Sequence, residues 1–284
     1  MRRLPAWLAT VGSALACVPC PACQHSPNTV VAVAVPAWHE DSASAFTVSP
    51  DGRWALLAGR SGAALADLAR RQIDTIVAGA AGRAALRARL GSVEPAWSAL
   101  EPRPAAVPDS ATLERSPDGR RLAFLSANQD TVFVGPADTL QPYVLDGTVT
   151  GMGWVPHGDL LYVLVRHPDG LSSLDRINVE TGAIQPIRPQ LDAPPGGGGV
   201  AVSADARTLY VALASDTTSA AAARQPPGAG RDRDIYALDL RSGRLSRVAA
   251  TPGDDVFPVL AGSVLYWTQN DAARHRKLLW RLRL

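Results

Sequence analysis

"SPDGRRLAFLS", residues 116–126, has an imperfect echo in "SPDGRWALLAG", residues 49–59. Ser-Pro-Asp-Gly is either an acidic chemical motif or a way of turning a chain. The residue types favour the turn. Pro presets φ near about −65°, Asp tolerates the bridge region and bonds nearby backbone, and Gly accepts positive φ. Apolar strand-like residues flank each copy, so the stretch reads as a hairpin between two strands. Asp51 and Asp118 then need no catalytic role. His157, which takes the Asp slot in "VPHG" (155–158), inherits the same structural reading.

Aligned on this turn, the chain shows a repeating unit of an apolar strand, a tight turn, a second apolar strand and two more strands. The first strand pairs are "AFTVSPDGRWALLAG" (45–59), "ATLERSPDGRRLAFLSA" (111–127), "TGMGWVPHGDLLYVLVR" (150–166), "GGVAVSADARTLYVALAS" (198–215) and "DVFPVLAGSVLYWTQ" (255–269). The third and fourth units share a second turn, "NVETGAI" (178–184) and "DLRSGRL" (239–245), where Gly again supplies positive φ. Four antiparallel strands cannot bury a face alone, but packed radially they can, which makes the expected fold an all-β propeller. Five blades are readable. A sixth stays open, because "VEPAWS" (93–98) looks like the start of a unit whose turn arrives only after "ALEPRPAAVPDSATLER" (99–115). The fifth unit stops one strand short after "RKLLWRLRL" (276–284), and "TVVAVAVP" (29–36) is expected to complete it and close the ring.

These units resemble the TolB-type, WD-like repeats of bacterial envelope propellers, whose hallmark runs Pro-x-Trp-Ser-Pro-Asp-Gly-x-x-Leu-Ala-Phe. The likeness spans residues 46 to about 267, strong in two copies and degraded elsewhere to "VPHG", "SADA" and "LAGS". It implies protein partners, such as other envelope proteins. Trp97 and Trp154 fall in the hallmark tryptophan slot, which in that family packs between blades. "GDDVF" (253–257) resembles the family's blade-to-blade turn.

The first residues carry an address. Met1-Arg2-Arg3 and "LPAWLATVGSALA" read as a signal peptide over residues 1–16, with Ala14 and Ala16 at the positions a signal peptidase reads. "SALAC" (13–17) resembles the lipobox of bacterial lipoproteins, which makes Cys17 the expected lipidation site and an outer-membrane lipoprotein the expected form; Ala14 stands where Leu is usual, so a soluble periplasmic or secreted form remains an alternative. Residues 17–28 form a Pro- and Cys-rich tether and residues 29–284 the propeller domain. Cys20 and Cys23, with His25, offer a metal or redox cluster only if a closed ligand set forms; otherwise the two cysteines pair or stay unused.

From residue 17 onward the chain carries 26 basic and 26 acidic side chains, a balance that argues against nucleic acid or an anionic membrane surface as partner. No apolar run beyond the first residues is long enough to span a bilayer, so the membrane is reached by the lipid anchor alone. "DAPPGGGG" (192–199) reads as an inter-blade connector that its glycines keep from stiffening, and residues 215–233 as a flexible loop.

No nucleophile elbow, His-Glu-x-x-His, Walker or EF-hand pattern occurs, and no cofactor is called for. Asp254 and Asp255 stand before the first strand of the last blade, where a channel mouth is expected; with Trp154 they are the candidate binding residues. The function expected is binding or scaffolding by an end face. The alternative is a secreted propeller hydrolase, of glycoside hydrolase or lactonase type, using channel-mouth carboxylates or a metal.

Overall fold

Both Ser-Pro-Asp-Gly stretches fold as hairpin turns closed by their own side chains. The Ser49 amide donates to the Trp54 carbonyl at 2.8 Å, and its carbonyl accepts from the Gly52 amide at 2.8 Å. The Ser49 hydroxyl donates to Asp51 Oδ1 at 2.5 Å and accepts from the Trp54 amide at 2.9 Å, while Asp51 Oδ1 also accepts from the Arg53 amide at 3.0 Å. Ser116, Asp118 and Arg121 repeat the pattern. So do Ser203, Asp205 and Thr208 in the degenerate "SADA", where Ala206 takes the positive φ that Gly52 and Gly119 hold elsewhere. The "VPHG" turn keeps only the backbone bonds, from Gly158 N to Val155 O and from Val155 N to Leu160 O.

This computed structural model describes residues 30–38, 45–58, 63–77, 85, 88, 90, 104, 105, 107, 113–193, 198–214, 232–271 and 276–284. Residues 1–29, with Cys17, Cys20, Cys23 and His25, lie outside them, as do "VEPAWS" with Trp97 and residues 215–231. The described residues form five four-stranded antiparallel sheets in a propeller arrangement. Blade one is β2(Ala45–Val48), β3(Trp54–Ala58), β4(Ala63–Asp67) and β5(Gln72–Val77). Blade two is β6(Leu113–Arg115), β7(Leu122–Leu125), β8(Thr131–Gly135) and β9(Gln141–Val144). Blade three is β10(Thr148–Trp154), β11(Leu160–Arg166), β12(Ser172–Asn178) and β13(Ile184–Leu191). Blade four is β14(Val200–Val202), β15(Thr208–Ala214), β16(Arg233–Asp239) and β17(Leu245–Ala249). Blade five joins β1(Val30–Trp38) to β18(Asp254–Ala261), β19(Val264–Asp271) and β20(Arg276–Arg283), in the order β1-β20-β19-β18.

The ring therefore closes as the sequence leads one to expect, with the N-terminal strand outermost in the last blade. Val30 pairs with Leu282 and Val33 with Leu279, and the register shifts before Trp38 meets Lys277. The sixth blade left open by "VEPAWS" is absent among the described residues; between blades one and two, Ala85, Ala88 and Leu90 have helical backbone. Val107, from the same interval, is buried against Leu122 and Phe124. Alternation along β7 sends those two side chains to one face of blade two and Ala123 and Leu125 to the other, where they meet blade three.

Similar apolar clusters fill the gaps between blades three and four, four and five, and five and one. The first strands lie beside one another around the ring: β6 by β10, β10 by β14, β14 by β18, and β18 by β2. Blades three and four approach so closely there that a Cβ on Gly153 would sit 1.9 Å from the Val200 carbonyl oxygen. One on Gly198 would sit 1.9 Å from that of Thr150. The connector glycines of "DAPPGGGG" that the structure describes are thus packed against strand backbone, which corrects the reading of that end as a loose linker.

Gly153→Ala is expected to destabilise the fold by about 1–3 kcal/mol through this clash. Gly182→Asn, at a turn of φ 73° with nothing within 4 Å of a new Cβ, should change stability by less than about 0.5 kcal/mol. Denaturant melts of the two variants check the contrast.

Candidate functional site

Asp254 and Asp255 begin β18 on the end of the ring opposite the Ser-Asp hairpins, and strand alternation points them to different places. Asp254 is partly exposed and faces blade four, accepting from the Arg233 amide at 3.2 Å with the Arg233 Nε at 4.0 Å. Asp255 is fully buried. It accepts from the Thr251 amide at 2.9 Å, from Trp267 Nε1 at 3.0 Å, and from the Thr251 hydroxyl. Burial pushes its pKa up to about 6; the nearby Asp234 pushes the same way, and the three donors oppose both. Asp234 is buried too, with Arg247 Nη1 3.1 Å away.

The indoles of Trp267 and Trp280 stack at 6.5 Å between centroids and 13° between planes. Trp280 Nε1 donates to Gln269 Oε1 at 2.8 Å, and Gln269 Nε2 donates to the Pro252 carbonyl. Two side-chain chains, Trp267–Asp255–Thr251 and Trp280–Gln269–Pro252, thus fasten the link between blades four and five onto the closing blade. A buried carboxylate with three donors is fully engaged and presents no free oxygen to a ligand. Only Asp254 faces solvent.

Trp154 lies elsewhere. It is buried in the core between blades two and three, beside Leu125, Val134 and Tyr143, and its indole N–H has no hydrogen-bond partner among the described residues. The structure does not bring it together with the two aspartates.

Two features carry no motif and went unread in the sequence. Glu114, on the first strand of blade two, has its pKa raised to about 7 by burial. In blade three, His167 Nδ1 lies 2.7 Å from the Asp146 carbonyl oxygen, which can only accept, so the proton sits on Nδ1. Nε2 lies 3.0 Å from the Ser173 hydroxyl. Ser173 also bonds Asp175, whose pKa burial raises against the opposing pull of that bond and of His167. The serine is buried on a central strand, so this chain ties the β11–β12 hairpin to the link before β10. Among the described residues, no three His, Cys, Asp or Glu side chains stand together to hold a metal ion.

Solved structures share the architecture. A putative TolB from Agrobacterium tumefaciens superposes with a TM-score of 0.50 at 16% identity, covering 80% of this chain and 70% of its own. The fold is that of TolB proteins. A chain of a mitotic checkpoint complex matches equally well, at TM-score 0.50 and 14% identity over 84% of this chain and 73% of its own. TolB from Acinetobacter baumannii aligns over 90% of this chain at TM-score 0.44 and 12% identity, where the chain spans 55% of its length. No family model matches the sequence, and no curated protein matches it. The TolB-type likeness read from the hairpin motif is thus a likeness of fold.

The state of Asp255 sets a pH dependence. Its folded pKa lies above the unfolded value of 3.8, so folding is favoured when it is protonated and that gain is lost as pH rises through about 6. Keeping it ionised at neutral pH costs on the order of 3 kcal/mol. The stability of the wild type relative to Asp255→Asn should therefore rise as pH falls from 7 to 4. Equilibrium unfolding of both proteins across that range measures it; a constant difference would contradict the assignment.

Proposed function

We propose that the chain is a binding and scaffolding module of the bacterial envelope, held by a lipid on Cys17 and recognising a protein partner on an end face of the propeller. The observation that carries this reading is the position of β1. It starts at Val30 on the outermost strand of blade five, so the described chain enters at the rim of the ring rather than at its axis. The twelve residues between Cys17 and Val30 reach at most about 40 Å when extended, enough to stand a propeller off a membrane surface while both end faces stay open. The lipobox-like "SALAC" supplies the anchor, and the signal peptide before it supplies the route.

The repeated acidic turns support a frame rather than a reaction centre. Asp51, Asp118 and Asp205 each bond a serine hydroxyl and a backbone amide of their own turn. Asp118 and Asp205 are held below the usual carboxylate range by those bonds, first of all by the serine. Carboxylates so engaged hold geometry, and the blades they cap present loops from a rigid scaffold.

Expressed with its own leader in a Gram-negative host, the protein should fractionate with membranes, and its intact mass should show acyl chains on Cys17. Cys17→Ser should move it to the soluble fraction. A soluble periplasmic product beginning at an unmodified Cys17 would overturn the anchor. Affinity capture from an envelope extract with the 17–284 chain should recover a stoichiometric protein partner, and its absence counts against the binding role.

A further inference from the structure

On the hairpin-turn end of the ring, blades three and four leave a cavity of about 290 Å³ between them. It opens out of their shared apolar cluster. Leu160 and Tyr162 of β11 and Leu240 of blade four floor it, and Arg176, Arg207 and Arg241 line it with them. Its lining holds no Asp or Glu. Among the described residues none of the three arginines forms an ion pair.

Two acids on the same hairpins as Arg207 and Arg241 are already engaged. Asp205 accepts from the Ser203 hydroxyl and the Arg207 amide. Asp239 accepts from the Arg241 and Ser242 amides and the Ser242 hydroxyl. The side chains of Arg207 and Arg241 are exposed, whereas Arg176 is half-buried, donates to Gln185 and lies by the Tyr162 hydroxyl. The walls are rigid, because Arg188 of β13 reaches across to donate to the Gly243 carbonyl at 2.6 Å, and the Leu240 amide donates to the Arg207 carbonyl at 2.8 Å.

We propose that this cavity docks a segment of a protein partner in which one large apolar side chain is flanked by carboxylates. The apolar group enters between the blades, and the carboxylates meet the arginine guanidinium groups, which bind planar anions through paired N–H donors. A volume of about 290 Å³ is small for a cofactor-sized ligand and ample for one Leu or Phe side chain. Three guanidinium groups without a close ion pair, around an apolar floor, select against neutral and basic segments. The proposal rests on the reading of the chain as a binding module and names where, and for what chemistry, that binding occurs.

The test is selection of a random linear heptapeptide library against the purified propeller, followed by fluorescence polarisation with the enriched peptides. The expected result is enrichment of Leu, Ile or Phe beside Asp or Glu, with affinity falling as salt rises. Arg207→Glu combined with Arg241→Glu should weaken binding at least about tenfold, and Arg207→Gln with Arg241→Gln should weaken it less. Arg283→Glu, exposed on blade five, should leave it unchanged, and thermal melts should show all variants folded. Enriched peptides that are neutral or basic, or that bind the charge-reversed protein as well as the wild type, would overturn this site while leaving a binding module. A library that yields no enriched peptide overturns the site itself; the capture from envelope extract then decides the broader role independently.

Discussion

The pairing of β1 with β20 is the constraint on which the rest of the molecule depends. Without it blade five has three strands and β20 offers a row of unpaired backbone groups, the exposed edge that sheet proteins avoid. With it, residues near the two ends of the chain belong to one sheet, and every blade between them is confined to a ring. Each hydrogen bond along that seam contributes only about 0.5–1.5 kcal/mol. Its leverage comes from topology, since the seam ties the strand before blade one into blade five, beside the apolar cluster that joins the two blades. The cluster that joins Phe46 and Val48 to Tyr266 and Leu279 forms only in the closed ring.

Inside the ring the controlling distances are those between first strands. Gly153 and Gly198 let the backbones of β10 and the segment entering β14 come within a spacing that no side chain would allow. The two ends of the propeller then diverge in character. One carries the Ser-Asp hairpins and exposed arginines. The other carries buried acids fastened by indoles, hydroxyls and amides, of which Asp255 is the most enclosed. The same turn-and-strand repeat therefore supports two chemically distinct faces.

Much of this was legible in the sequence, and the reason is local. The hairpin code of Ser-Pro-Asp-Gly acts over five or six residues, so it survives even as "SADA", where the serine and aspartate persist and Ala206 takes the strained position. The closing strand was legible because an apolar run stood unpaired at one end and a blade lacked a strand at the other. What escaped depends on partners distant in sequence. A run of four glycines reads as slack until Thr150, from the neighbouring strand, shows what excludes a side chain there. Asp254 and Asp255 look equivalent until Thr251 and Trp267 close around one of them. The Arg176–Arg207–Arg241 cavity joins residues of two blades, and no periodicity in either announces it.

The seam also has a direction. Val30 meets Leu282 at the hairpin end of blade five, and the pairing runs from there to Trp38 and Lys277. Any pull transmitted along the segment before Val30 enters the molecule through this outermost strand, and nowhere else. A force on that strand loads the β1–β20 pairing first, so this propeller would yield to mechanical load at its closing strand before the inner strands of any blade.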